Sequence, residues 1–387
     1  LTGGGSDGWD VFLKARQMIA EGVAVTELTI GEHDIRTASS ILKEMHRTAL
    51  DGHTGYAAVP GTRALRDTVA ARVEKRTGVP TTRDNVLITP GGQAALFAAH
   101  MAACNPGDVA LYIDPYYATY PGTLRGAGAE PRAIGTQTES AFQPRAEDIA
   151  VHAAGATSLL INSPNNPTGV VYSRETLENI AKVCEDHDLW LISDEVYDTQ
   201  VWEGEHISPR ALPGMAERTL VVGSMSKSHA MTGSRCGWIV GPEEAIAPLI
   251  TLATHTTYGV PGFIQDASRY ALDQGAAFET EIAAPFLRRR ALAHDLLAGQ
   301  NTVGLIPAQG AMYLMLDIRA TGMSGEDFAF DLLDTHHIAV MPGESFGQSA
   351  AGHIRVAMTV EDSLFETALA TLVEHAALRA RERVAAQ

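Results

Sequence analysis

An alternation running from about residue 85 to residue 240 constrains this chain most: short apolar runs are separated by segments of helical periodicity. Asn85-Val86-Leu87-Ile88-Thr89 reads as a strand, and Gly91 to Ala103, rich in Ala, Leu, Phe and Met, as the helix that follows. Val109 to Ile113, Ser158 to Ile161, Leu189 to Ser193 and Thr219 to Val222 read as further buried strands, and Ser173 is placed to cap a helix running to about His187. Strands that alternate with helices form a mainly parallel sheet covered on both faces, so an α/β fold is expected. In such a sheet ligands gather at the C-terminal ends of the strands. The flanks read differently. Trp9 to Glu21 and Phe278 to Ala298 are helical in pattern, and the glycine-rich opening "LTGGGSDG", with no strand before it, reads as a flexible terminal arm. The expected division is 1–45 for that arm and part of a small domain, 46–275 for the large domain, and 276–387 for the rest of a smaller α/β domain built from both chain ends.

Charge and cysteine usage exclude several classes of function. The 387 residues include 29 basic and 46 acidic side chains, a formal charge of -17, which repels phosphate backbones and anionic membrane surfaces. Neither nucleic acid nor membrane is therefore an expected partner. No apolar run approaches the roughly 18 residues of a membrane span, and the first residues lack the basic start and apolar stretch of a signal peptide. A cytoplasmic location is expected. Cys104, Cys184 and Cys236 are widely spaced without a CxxC pair and read as reduced structural thiols. No metal is expected either, because His187, His229, His255, His336 and His337 lack ligand spacing with nearby acids and read as surface or packing residues.

Chemistry concentrates where the strands end. After Thr219 to Val222 comes "GSMSKSHAMTGSR", with Lys227 among serines and Arg235 eight residues on. Lys227-Ser228 superficially echoes the end of a nucleotide P-loop, but Ser226 and Val221 stand where that loop needs glycines. Three further segments sit at strand ends: "TPGGQAAL" (89–96), "SPNNPTG" (163–169) and "SDEVY" (193–197). These four, in this order, with "LTIGEHD" (28–34) and "GHIRVAM" (352–358) on the flanks, resemble the fold-type I pyridoxal-phosphate enzymes, specifically the class I/II aminotransferases of the aspartate aminotransferase superfamily.

The resemblance implies a role for each matching residue. Lys227 matches the amine that holds the aldehyde of pyridoxal 5'-phosphate as a Schiff base and then moves the substrate's α-proton. Asp194 matches the carboxylate that pairs with the pyridine nitrogen, and Tyr197 and Asn166 match the groups that hydrogen-bond the ring's phenolic oxygen. Gly92, Gln93 and Ala94 open a helix whose amides face the phosphate, with Ser224, Ser226 and Arg235 completing the cradle. Tyr117, in "DPYYATY", matches the aromatic residue stacked on the ring, whereas Tyr116 and Tyr120 read as ordinary packing residues. Arg355 matches the bidentate ligand of the substrate α-carboxylate, with the backbone of Gly31 and the side chain of Asn166 beside it. Tyr56 matches a residue that reaches the cofactor phosphate of a second subunit, and the segment around Tyr258 faces the same interface, so a homodimer is implied.

The implied activity is transfer of an amino group from an α-amino acid to a 2-oxo acid, in ping-pong order. A β-eliminating carbon–sulfur lyase uses the same constellation and stays open at this point. A cofactor-sensing transcription regulator is disfavoured by the acidic charge and by the short stretch before the matching region. Aspartate-preferring relatives carry lysine directly after the paired glycines, where this chain has Gln93. Donors with neutral side chains, aliphatic, sulfur-containing or aromatic, are therefore expected to exceed aspartate. Arg36 reads equally as a solvated arginine and as a ligand for a dicarboxylate. Arg288 to Arg290 read as a solvated helix face, and His33 stands in place of the proline usual in its segment, with no role read from sequence.

Overall fold

The computed structural model describes residues 8–385, so the expected terminal arm falls, up to Asp7, outside the described residues. Seven strands form the main sheet: β1 (Val86–Thr89), β2 (Val109–Asp114), β3 (Glu130–Gly135), β4 (Ala156–Asn162), β5 (Trp190–Asp194), β6 (Thr219–Ser224) and β7 (Gly237–Val240). Their order is β1-β7-β6-β5-β4-β2-β3. β7 runs antiparallel to both neighbours, and the remaining pairs are parallel. The α/β alternation expected from the sequence is thus present. β4, β5 and β6 extend past their apolar runs to end on Asn162, Asp194 and Ser224, which puts polar side chains at one edge of the sheet.

Two strands were not anticipated from the sequence. β3 is an outer strand with an exposed pattern and Pro131 in it, and an edge tolerates both because half its backbone groups need no partner. β7 returns antiparallel without a crossover helix, guided by close approach: a Cβ on Gly223 would lie 2.2 Å from Trp238 Nε1. Ser173 caps the helix Arg174–Asp186 as expected, its Oγ accepting from the Thr176 amide at 3.0 Å.

A second sheet is antiparallel throughout, built from β8 (Gly304–Leu305), β9 (Tyr313–Asp317), β10 (Met341–Pro342) and β11 (His353–Ala357) in the order β10-β11-β9-β8. Near it Thr26–Glu27 pairs in parallel with Ile338–Ala339, which brings the early and late parts of the chain together. Phe286, Phe328, Phe365 and Leu314 lie in the apolar cluster around this sheet. The reading of Arg288 to Arg290 as a solvated face needs correction. Arg289 is buried in the helix Gly275–Leu297, with Nη2 2.6 Å from Asp34 Oδ2 and Nε 2.8 Å from Asp362 Oδ1. Paired carboxylates are what make that burial tolerable.

Candidate active site

The ends of β4, β5 and β6 meet at a cavity of about 210 Å³. Asn162 and Asp194 are register partners on adjacent parallel strands, so both arrive at the same level. Past β6 the chain turns into a single helical turn, Met225–Ser228, which aims Lys227 into the cavity. Its Nζ donates to the carbonyl of Gly31. Gly31 has no room for a side chain there, because a Cβ would lie 1.8 Å from the Tyr313 hydroxyl.

Opposite the lysine stands Arg355, buried on β11 with its guanidinium carbon 4.4 Å from the centre of the Tyr313 ring and 4.3 Å from that of Phe346. Nη1 donates to Asn166 Oδ1 at 2.8 Å and Nη2 to the Thr29 carbonyl, while Nε has no partner among the described residues. No carboxylate of the described residues pairs with this guanidinium. Burial alone lowers its pKa, since a cation in apolar surroundings loses hydration. The site therefore presents a positive fork waiting for an anion.

Asp194 ends β5 with its carboxylate at the cavity floor. Tyr120 donates to Oδ2 at 2.6 Å and the Val196 amide to Oδ1 at 3.3 Å. Burial raises its pKa to about 6, against the lowering effect of the Tyr120 hydroxyl. Tyr197 lies three residues on, with its hydroxyl 3.0 Å from that of Tyr313. Burial first, then the neighbouring Tyr313, pushes the Tyr197 phenol well above its ordinary range.

The far end of the cavity is an anion cradle. The helix Gly92–Ala103 opens toward it, and helix N-termini favour negative charge through unsatisfied amides and the helix dipole. Gly91 holds φ at 83°, and a Cβ there would lie 2.5 Å from Arg235 Nη2, so glycine is what lets that guanidinium lie against the loop. Ser224 and Ser226 set their hydroxyls 3.0 Å apart beside it. The residues present fit pyridoxal phosphate: amides, hydroxyls and a guanidinium for the phosphate, a carboxylate for the ring nitrogen, and an amine for the aldehyde.

Of the residues expected from sequence, Ala94 and Tyr56 do not line this cavity. Ala94 faces an adjoining groove of about 1020 Å³ that shares Trp9, Gln93 and Arg235 with it. Tyr56 is 93% exposed on the surface, its ring edge-on to Tyr258 with centroids 5.2 Å apart. Gln93 lines the cavity but its amide is engaged, Nε2 donating to Thr123 Oγ1 at 2.7 Å and Oε1 accepting from Thr119 at 3.1 Å. Arg36 is exposed and does not line the cavity. His33 packs edge-on to Phe286 at 5.1 Å, and burial followed by the charge of Lys227 lowers its pKa to about 4. Sequence reasoning passed over Tyr120, Tyr313, Asn162 and Thr232, all of which line the cavity. Asn162 was findable, because it follows an apolar strand as Asp194 does.

The sequence model of the family described as aminotransferase class I and II matches residues 23–372. An arginine–pyruvate transaminase of Pseudomonas aeruginosa is 40% identical over 361 residues, 93% of this chain and 92% of its own length. An aspartate/prephenate aminotransferase of Thermus thermophilus is 34% identical, covering 92% of each. Among solved structures, a double mutant of Thermus thermophilus aspartate aminotransferase superposes with a TM-score of 0.90 at 32% identity over 96% of this chain and 97% of its own. With the cradle, the lysine and the unpaired guanidinium in one cavity, the chain belongs to the class I and II aminotransferases and works with pyridoxal phosphate.

Proposed function

We propose that this aminotransferase takes donors with neutral or cationic side chains, and that Lys227, Asp194, Tyr197, Asn166 and Arg355 carry the reaction. When bound, pyridoxal phosphate supplies an aldehyde that captures an amine and a ring that withdraws electrons from the α-carbon. Lys227 Nζ would receive the α-proton of the substrate and give it up again on the same face, a task for an amine that cycles between neutral and charged. Arg355 binds the α-carboxylate and so fixes which α-substituent faces the lysine. Asp194, oriented by Tyr120, supplies the negative charge that stabilises a cation at the ring nitrogen. Tyr197 and Asn166 would donate to the ring's phenolic oxygen, Gly92, Gln93, Ser224, Ser226 and Arg235 would hold the phosphate, with Ala94 offering at most its backbone amide, and Tyr117 would cover the ring.

The observation that carries the substrate class is the buried Arg355 fork, unpaired with any carboxylate of the described residues. Donor preference rests on Gln93, which is uncharged and already engaged with Thr119 and Thr123. Glu32, next to Gly31, accepts from Thr232 of the cavity wall at 2.8 Å and adds negative charge near the mouth. Both features disfavour a distal carboxylate. The relative named for arginine supports the cationic side of this reading. The test is a matrix of arginine, methionine, phenylalanine, alanine and aspartate against pyruvate and 2-oxoglutarate. The best non-acidic donor is expected to exceed aspartate in kcat/KM by about tenfold or more, the equivalent of one charge-assisted hydrogen bond. Aspartate as best donor sinks the claim, and unchanged 2-oxoglutarate kinetics in Arg36→Ala removes Arg36 from the site.

The working unit in this reading is a cytoplasmic homodimer with a large domain over 46–275, flanked by 1–45 and 276–387. Exposed Tyr56 and Tyr258, packed edge to face, support the dimer. The buried free thiols of Cys104, Cys184 and Cys236 are consistent with a reducing compartment.

A further inference from the structure

Behind the active cavity, on the opposite face of the same strand ends, lies a polar cavity of about 290 Å³. The turn Asp194–Asp198 divides between the two. Asp194 and Tyr197 line the front, whereas Glu195 and Asp198 line the back. Asp198 belongs to a closed ring of charges. Arg72 contacts Asp198 at 3.3 Å and also Glu279, and Arg76 contacts Glu279 at 3.3 Å and also Asp198. Each arginine thus touches both carboxylates. Burial works to raise the Asp198 pKa, but Arg76 and Arg72 prevail and hold it below the ordinary range.

The loop of Lys227 packs beside the ring without an ion pair to it among the described residues. His229 Nε2 lies 4.0 Å from Glu279, and its Nδ1 is 2.7 Å from the Ser228 hydroxyl, next to Lys227. Gln200 donates to the Lys227 carbonyl at 3.4 Å from just beyond the turn. On the other side of the cavity Glu195 is held by Ser208 at 2.7 Å and by His206 Nε2 at 3.0 Å. The turn bearing Asp194 and Tyr197 is gripped from behind by these charges, and the loop bearing Lys227 packs against them through neutral His229 and is tied to the turn by Gln200.

We infer that the ring of Arg72, Arg76, Asp198 and Glu279 is a positioning device that sets the relative placement of Asp194, Tyr197 and Lys227. Helix Arg63–Thr77 supplies the arginines and helix Gly275–Leu297 supplies Glu279, so the ring fastens the turn to two elements outside the sheet. Charge on Asp198 selects one rotation of the turn, because a neutral side chain there no longer requires both arginines. Rotating the turn displaces Tyr197 on the front face. Displacements of that kind are costly to chemistry, on the order of a hundredfold for about 1 Å.

The inference rests on the assignment of Asp194 and Tyr197 to the cofactor ring. Asp198→Asn, Arg76→Gln and Arg76→Lys are compared with wild type as holoenzymes. Three readouts are taken: kcat and KM separately, the pH midpoint of the bound cofactor's visible absorption, and the Kd for pyridoxal phosphate. Asp198→Asn and Arg76→Gln should lower kcat by about tenfold or more with KM changed less than about threefold, since Arg355 lies on the far wall. The absorption midpoint should move by about half a pH unit, and Arg76→Lys should recover most of both effects. Should Asp198→Asn fail to fold, the Arg76 pair decides, because that side chain is 33% exposed. Variants that melt lower but keep kcat and the midpoint would make the ring a purely structural clamp and overturn the inference. An unmoved midpoint in Asp194→Asn overturns the site assignment itself, a separate result.

Discussion

Burial lifts the Asp194 carboxyl to about 6, so folding places at the cavity floor a carboxylate whose charge is penalised by its surroundings. The unfolded chain releases that proton near 3.8, so between roughly pH 4 and 6 the folded state holds more protons. Stability from this residue is present below pH 4 and is lost as pH rises to about 6. The gap of about two units corresponds to about 3 kcal/mol. Asp194→Asn in cofactor-free protein is accordingly expected to melt higher than wild type at pH 8 and alike at pH 4, while turnover is lost. Equal melting at both values would show that the carboxylate is not strained by burial. Lys227→Ala is expected to lose on the order of a thousandfold or more in turnover and still bind pyridoxal phosphate through the cradle. Retained full transamination in that variant would remove the lysine from the chemistry. Lys227, Asp194 and Arg355 were legible because each sits in a segment whose neighbours are equally specific. Tyr120 and Tyr313 were not. A tyrosine in a sequence carries no mark of whether its hydroxyl meets a carboxylate, as Tyr120 does, or another phenol, as Tyr313 does.

At the level of elements, the strand ends were readable and the two irregular strands were not. Apolar runs locate β1, β2, β4, β5 and β6, because strands buried on both faces must be apolar. β3 has an exposed pattern and so lacks that signal. β7 has the signal but breaks the alternation, since its position depends on Gly223 and Gly237 admitting neighbours, which is a property of contacts rather than of local sequence. The misread Arg289 has the same origin: its two carboxylate partners, Asp34 and Asp362, are remote in sequence. Gly91 gives this scale its test. Gly91→Ala must place a Cβ against Arg235 at a φ of 83°, a backbone state costing a side chain about 1–3 kcal/mol. The expected outcome is a modest fall in melting temperature and a loss of about tenfold or more in affinity for pyridoxal phosphate, read by equilibrium dialysis. Unchanged affinity would show that Arg235 is not pressed into the cradle by that glycine.

For the whole molecule, the exposed Tyr56–Tyr258 pair is one aromatic feature that the single chain leaves uncovered. Sedimentation is expected to give a dimer at assay concentration, and Tyr56→Phe to weaken cofactor binding without dissociating it. A fully active monomer would defeat the dimer, whereas unaltered cofactor affinity would remove Tyr56 alone. Assembly of this kind is implied by resemblance and not by pattern, because a surface aromatic and an interface aromatic look alike in a single chain. Among the described residues no helix is long and apolar enough to cross a membrane. Early and late parts of the chain meet at the cavity, where Arg355 donates to the carbonyl of Thr29, 326 residues earlier, and Lys227 donates to that of Gly31. During synthesis the strands that frame the phosphate cradle are complete by residue 240, more than a hundred residues before the carboxylate fork emerges. A growing chain thus contains Gly92, Ser224, Lys227 and Arg235 well before Arg355, the arginine proposed to recognise an amino acid.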